Sequence, residues 1–222
     1  MSTSPIRGLY GIADVSGAPG RTELEVGRAF LDAGVTVLQL RMKGKPRDEV
    51  RAALLDLRPL AAEAGCALLV NDDVDLAAEF DDVGVHLGQG DLNPRAARAR
   101  LGPEVIIGWS THDASQVRLA ADLPVDYVGF GPVFSAAGKH LAPTDTRTPM
   151  EAVGLASLSG VVAEATVPVV AIGGIDEARI GSVMQAGAAA AAVISAVACA
   201  ENPASAARDL ASLIRDRSEG LR

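Results

Sequence analysis

Short apolar runs alternate with amphipathic stretches along the whole chain. Eight runs, at 8–14, 36–42, 67–72, 83–88, 105–110, 127–134, 169–174 and 190–197, have the length of strands. They are apolar on both faces, the pattern of strands covered on both sides. Helical faces lie between them. Val50, Ala53, Leu54 and Leu57 recur at helical spacing, as do Ile180, Val183, Met184 and Gly187, and Leu210, Leu213 and Ile214 form a last apolar face. Thr22, Asp113 and Asp176 stand at helix starts as N-caps, and Gly34, Gly65 and Gly187 at helix ends as left-handed C-caps. Eight strand–helix units predict a closed (β/α)8 TIM barrel. The rival, an open doubly wound sheet, calls for a Gly-x-Gly-x-x-Gly turn after the first strand. Asp14-Val-Ser-Gly-Ala-Pro-Gly has the wrong spacing for it. The fourth unit is the weakest, because only 16 residues separate the starts of the third and fourth runs, and the longest connection runs from Ser135 to about Thr148.

Composition narrows the picture. The chain has 222 residues without a composition break or linker, so one barrel domain is expected over 1–222. An apolar fraction of 49% excludes disorder. A net charge of −8 repels phosphate backbones and anionic lipid, so no nucleic-acid or membrane partner is expected. Residues 1–7 have no apolar core of a secretory signal, and the run from 186 to 200 is too short to span a bilayer. Cys66 and Cys199 sit in apolar surroundings and read as small buried hydrophobes in a reducing compartment. A cytoplasmic protein is the simplest expectation, and homo-oligomerisation stays open.

Barrel enzymes place their chemistry at the carboxyl ends of the strands. Here those ends read Gln39-Leu-Arg41-Met-Lys43, Asn71-Asp72, His86-Leu-Gly-Gln-Gly-Asp91, Ser110-Thr-His112, Gly131-Pro-Val-Phe, Gly173-Gly174 and Ile194-Ser195. Gln39, Arg41 and Lys43 alternate and so share one face; two cations there suit a polyanion, although a solvated basic turn running on to Lys45 and Arg47 is an equal alternative. Asp72 and Asp91, on adjacent strand ends, can share a magnesium ion; their alternative is helix capping, with Asp72 or Asp73 ahead of Val74 and Asp91 ahead of Pro94. Beside Arg41 and Lys43, a magnesium-bridged diphosphate is the better account. Gly173-Gly174 and Ile194-Ser195 end strands seven and eight, where barrels hold a monophosphate. His86 and His112 read as hydrogen-bonded structural histidines, His140 has no reading, and Trp109 reads as packing. No nucleophile–base arrangement stands out.

These segments resemble the thiamine-phosphate synthase family. The likeness runs in order through Gln39–Lys43, Val70–Ala77, Gly84–Asp91, Gly108–Asp113, Asp126–Phe134, Pro168–Ile175 and Ala186–Ala196. It implies a barrel that joins hydroxymethylpyrimidine diphosphate to thiazole phosphate, releasing pyrophosphate with Mg2+ by a dissociative route. Carried over by position, Gln39, Arg41, Lys43, Asn71, Ser110 and Lys139 would hold the pyrimidine diphosphate, with Arg41, Lys43, Ser110 and Lys139 nearest the chemistry. Asp72 and Asp91 would bind magnesium, and Gly174, Ile194 and Ser195 the thiazole phosphate. The family's Pro-Thr-x-Thr-Lys becomes Ser135-Ala-Ala-Gly-Lys139 here, so both threonine hydroxyls expected on the thiazole phosphate are replaced, by Ala136 and Gly138. Two alternatives follow: a thiazole tautomerase, or a non-catalytic barrel that binds phosphorylated ligands. Tautomerases carry a histidine where this chain has Pro132 and lack aspartates matching Asp72 and Asp91.

Overall fold

The computed structural model describes residues 4–135 and 151–219. Lys139, Ala136, Gly138, His140 and the connection through Thr148 lie outside the described residues. Eight parallel strands close in chain order: β1 (Gly8–Ala13), β2 (Val37–Leu40), β3 (Ala67–Asn71), β4 (Val83–Leu87), β5 (Ile107–Thr111), β6 (Tyr127–Phe130), β7 (Val169–Ile172) and β8 (Ala190–Val193). The ring shuts where β8 pairs with β1, with Gly8 opposite Ala190. The helices are α1 (Glu23–Asp32), α2 (Arg47–Glu63), α3 (Val74–Ala77), α4 (Pro94–Leu101), α5 (Ala114–Ala120), α6 (Gly154–Glu164), α7 (Glu177–Gln185), α8 (Ser195–Ala198) and α9 (Pro203–Glu219). This is the (β/α)8 TIM barrel that the alternation predicts. No helix among the described residues is long and apolar enough to cross a membrane.

The two apolar faces of each strand serve two cores. Outward residues such as Leu38, Val70, Val85 and Val128 meet the helices, and Trp109 is buried there. Inside the ring, Tyr10, Val37, Leu69, Tyr127, Val170 and Ala190 form a second core. Gly11 lets α1 close on the barrel: a Cβ there would lie 2.5 Å from the Phe30 ring. Thr22, Asp113 and Asp176 cap α1, α5 and α7 as expected, each accepting a backbone N–H. Gly34, Gly65 and Gly187 have positive φ, as the C-cap reading requires.

Several expectations need correction. The sixth strand stops at Phe130, because Pro132 has no N–H with which to extend the ladder. The eighth stops at Val193; Ile194 leaves the extended geometry (φ −123, ψ −82) and the alanine-rich run beyond it forms α8. Leu213 is exposed, and the buried face of α9 is Ala207, Leu210 and Ala211 with Ile214 packed beside it. Cys66 is buried, with its thiol pushed up to about 12 by burial, but Cys199 is exposed. The close spacing of the third and fourth strands has its physical form in α3, a single turn of four residues between them.

Candidate active site

Gln39, Arg41 and Lys43 leave the end of β2 and then diverge. Gln39 is buried inside the ring. Arg41 turns toward β1, where its guanidinium pairs with the carboxylate of Asp14, a buried group that also accepts the Ser16 N–H at 2.9 Å. Lys43 turns the other way, toward β3, and its ammonium lies 3.3 Å from Asp72. Two cations are thus fixed by carboxylates on either side of one strand end. Lys45 and Arg47 continue round a cavity of about 160 Å3 that is also lined by Lys43, Asn71 and Asp73. Lys45 pairs with Glu49 and Arg47 with Asp73 in exposed ion pairs, so this part of the turn is solvated, as the basic-turn alternative has it.

The two aspartates meet. The capping alternative assigned Asp72 or Asp73 to α3 and Asp91 to α4. Asp73 caps α3 through Leu76 N–H at 2.8 Å, and Asn93 caps α4 through Arg95 N–H at 2.9 Å. That leaves Asp72 and Asp91 for each other. Asp91 is braced by the Gly88 N–H at 2.6 Å. Asp72 has φ +65, a left-handed conformation that aspartate tolerates better than bulkier residues, and its N–H bonds the His86 carbonyl at 2.9 Å. Burial, and then the hydrogen-bonded carboxyl of Asp91, push the Asp72 carboxyl up, against the pull of Lys43. Two neighbouring oxygen-donor carboxyls, with Asp72 pushed up in part by Asp91, form a donor set fit for a hard divalent cation. Among the described residues no cluster of three or more metal-ligating side chains accompanies them, so a cation here would draw its remaining ligands from water and substrate oxygens.

Across the ring, Ser110 Oγ lies 2.9 Å from His86 Nε2, and His86 Nδ1 lies 2.8 Å from the Tyr127 hydroxyl. Tyr127 and Tyr10 hydroxyls are 2.7 Å apart, and Gln39 donates from Nε2 to Tyr10 at 2.9 Å. Desolvation holds His86 low, at about 4, so its ring is neutral at ordinary pH; both phenols are pushed up by burial. His112 bonds the Gly131 carbonyl at 2.9 Å, the structural role expected of it.

At the ends of β7 and β8, Gly173 and Gly174 both take positive φ (+102 and +62). A Cβ on Gly173 would meet Pro132 at 2.5 Å, and one on Gly174 would meet Phe134 at 2.9 Å. This turn therefore has no room for a side chain. Arg179, in the first turn of α7, donates to the Gly174 carbonyl at 2.7 Å and stacks its guanidinium over Phe134. Ile194 and exposed Ser195 open α8 on the neighbouring strand.

The sequence-derived residues Gln39, Arg41, Lys43, Asn71, Asp72, Asp91, Ser110, Gly174, Ile194 and Ser195 thus stand on or just beyond the carboxyl ends of their strands; Lys139 lies outside the described residues. Asp14, Tyr10, Tyr127 and Arg179 were not singled out from sequence. An acidic residue directly after the apolar run of β1 was the available signal for Asp14.

The family model for thiamine monophosphate synthase matches residues 9–197. The chain belongs to that family. It is 42% identical over 206 residues to a thiamine-phosphate synthase of Albidiferax ferrireducens, covering 93% of this chain and 91% of the relative. It is 38% identical over 211 residues to the enzyme of that name from Pelotomaculum thermopropionicum, covering 95% of this chain and 94% of the relative. Among solved structures, the thiamine phosphate pyrophosphorylase of Pyrococcus furiosus superposes with a TM-score of 0.82 at 32% identity, covering 96% of both chains.

Proposed function

We propose that this member of the thiamine-phosphate synthase family joins hydroxymethylpyrimidine diphosphate to thiazole phosphate with magnesium, releasing pyrophosphate. The observation that carries this reading is the Asp72–Asp91 pair with Lys43 beside it and Arg41 on the other side of the same strand end, opposite charges that a metal-bound diphosphate would bring to one purpose. Asp72 and Asp91 would hold the ion, which when bound neutralises charge on the diphosphate oxygens. Arg41 offers a planar fork to those oxygens and Lys43 a point charge. Ser110 adds a hydroxyl, Asn71 lies beside Lys43, and Lys139 would bring a further cation. The carbon–oxygen bond to diphosphate breaks first, and the electron-rich aminopyrimidine stabilises the methylene cation. The thiazole nitrogen then forms the new carbon–nitrogen bond with its lone pair. That nitrogen carries no proton to lose, so the step needs neither a base nor a protein nucleophile. The tautomerase alternative is disfavoured by Pro132, Asp72 and Asp91.

Both substrates with magnesium should release pyrophosphate and yield thiamine phosphate, and neither substrate alone should. Isomerised thiazole phosphate without metal, or no pyrophosphate, would defeat the proposal. Because Ala136 and Gly138 replace hydroxyls, the KM for thiazole phosphate should be high and should fall in Ala136→Thr.

Gly174 supplies a second check. Gly174→Ala forces a side chain into positive φ and against Phe134, at a cost of about 1–3 kcal/mol in stability, and should raise the KM for thiazole phosphate. Gly160→Ala, in open space on α6, should raise stability by about 0.5–1 kcal/mol and leave that KM unchanged. Equal KM values in wild type and Gly174→Ala would remove the turn from the phosphate site.

A further inference from the structure

The interior of a barrel of this kind is ordinarily filled with branched aliphatic side chains. Here its upper part carries the line Gln39, Tyr10, Tyr127, His86 and Ser110, which crosses from β2 to β5 through β1, β6 and β4. Glycines make the space for it. A Cβ on Gly108 would lie 2.1 Å from Tyr127 Cζ and 2.3 Å from its hydroxyl, and one on Gly129 would lie 3.2 Å from His86 Cε1. Buried polar groups are costly unless every one is paired, and among the described residues none of the buried side-chain polar atoms lacks a partner. Leucine or isoleucine would fill such space without that demand, so the polar line calls for a reason other than packing.

The line has one direction. Gln39 Nε2 donates to Tyr10, and an amide nitrogen has no lone pair with which to accept in return. The Tyr10 proton therefore goes to the Tyr127 oxygen, and the Tyr127 proton to His86 Nδ1. A neutral imidazole then carries its single proton on Nε2, which donates to Ser110 Oγ. Ser110 is left at the end of the line as an acceptor within it, with its own O–H directed elsewhere.

We propose that Tyr10, Tyr127 and His86 form a one-way hydrogen-bond relay that holds the Ser110 hydroxyl as an obligate donor to an anionic oxygen of the bound diphosphate substrate. Tyr127 and His86 are positioning residues, acting through Ser110 and not on substrate. The inference rests on the reading of Ser110 as a diphosphate ligand, while the relay's direction can be measured without any substrate.

The test has two arms. Nitrogen-15 NMR of the unaltered protein, with the signal assigned by its loss in His86→Asn, should show an unprotonated Nδ1 and a protonated Nε2. The opposite tautomer would overturn the relay and leave the synthase reading standing. In kinetics, Tyr127→Phe lets Ser110 turn its proton back toward the ring, and should raise the KM for the pyrimidine diphosphate about tenfold with a smaller change in kcat. In a Ser110→Ala background the same change should alter KM by less than about twofold. Equal effects in both backgrounds, or an unchanged KM in Tyr127→Phe, would reduce the line to packing. Should Tyr127→Phe fail to fold, the tautomer measurement decides alone.

Discussion

Asp72→Asn should lower turnover at least about a thousandfold and leave the melting temperature nearly unchanged. The catalytic loss follows from removing one of two carboxylates that would hold the metal against the leaving diphosphate. Stability should survive for three reasons. Asparagine tolerates the left-handed backbone at φ +65 as well as aspartate does. The carboxyl of Asp72 is pressed by burial and by Asp91, so its charge is not a net support of the fold. Its partner Lys43 is about one-third exposed, and such an ion pair contributes less than about 1 kcal/mol. Asp72→Gly extends the argument: it relieves the positive φ and should melt higher than wild type while remaining inactive. Asp91→Asn keeps an oxygen for the Gly88 N–H and should be equally inactive and equally stable. An active Asp91→Asn enzyme would sink the metal assignment.

Arg41→Ala should do harm in two separable ways. Affinity for the pyrimidine diphosphate should fall on the order of a hundredfold, the loss of a forked contact to a charged oxygen pair. Stability should fall by about 2–3 kcal/mol, because Asp14 is left as a buried carboxylate without its counter-charge. That figure is set below the loss for a wholly buried pair because Arg41 retains some contact with water. Asp14→Asn in the Arg41→Ala background should restore most of the stability and none of the affinity. Arg41→Lys keeps the charge beside Asp14 but not the planar fork, so its melting temperature should approach wild type while its affinity stays low. Thermal melts and diphosphate titrations on the four proteins check both halves, and unchanged affinity in Arg41→Ala would return this residue to a structural role.

The strands, the barrel and the polar ring at their ends were legible in the chain because each rests on a local signal. Apolar runs mark strands, caps mark helices, and a strand end in a barrel has one functional side. What was not legible depends on contacts between distant segments. Asp14 is twenty-seven positions from Arg41, and nothing in the spacing tells which carboxylate turns toward which cation. Tyr10 and Tyr127 are 117 positions apart and read as ordinary core aromatics until their hydroxyls are seen to touch. Capping was ambiguous for the opposite reason: Asp72 and Asp73 are neighbours with equal claims, and backbone geometry alone separates them. The end of β8 was misplaced because alanine suits a short helix as well as a crowded strand, and Leu213 because helical spacing alone does not separate the packed Leu210 and Ile214 from a position at the edge of the stripe that faces water.

Calorimetric titration with inorganic pyrophosphate, with and without magnesium, tests most directly whether a diphosphate and a divalent cation share this site. Wild-type protein should bind pyrophosphate at least about tenfold more tightly with magnesium than with a chelator present, and Asp72→Asn and Asp91→Asn should lose that difference while keeping the weaker binding contributed by Arg41 and Lys43. Equal affinity with and without magnesium in the wild type, or a magnesium effect that survives in both variants, would contradict the account.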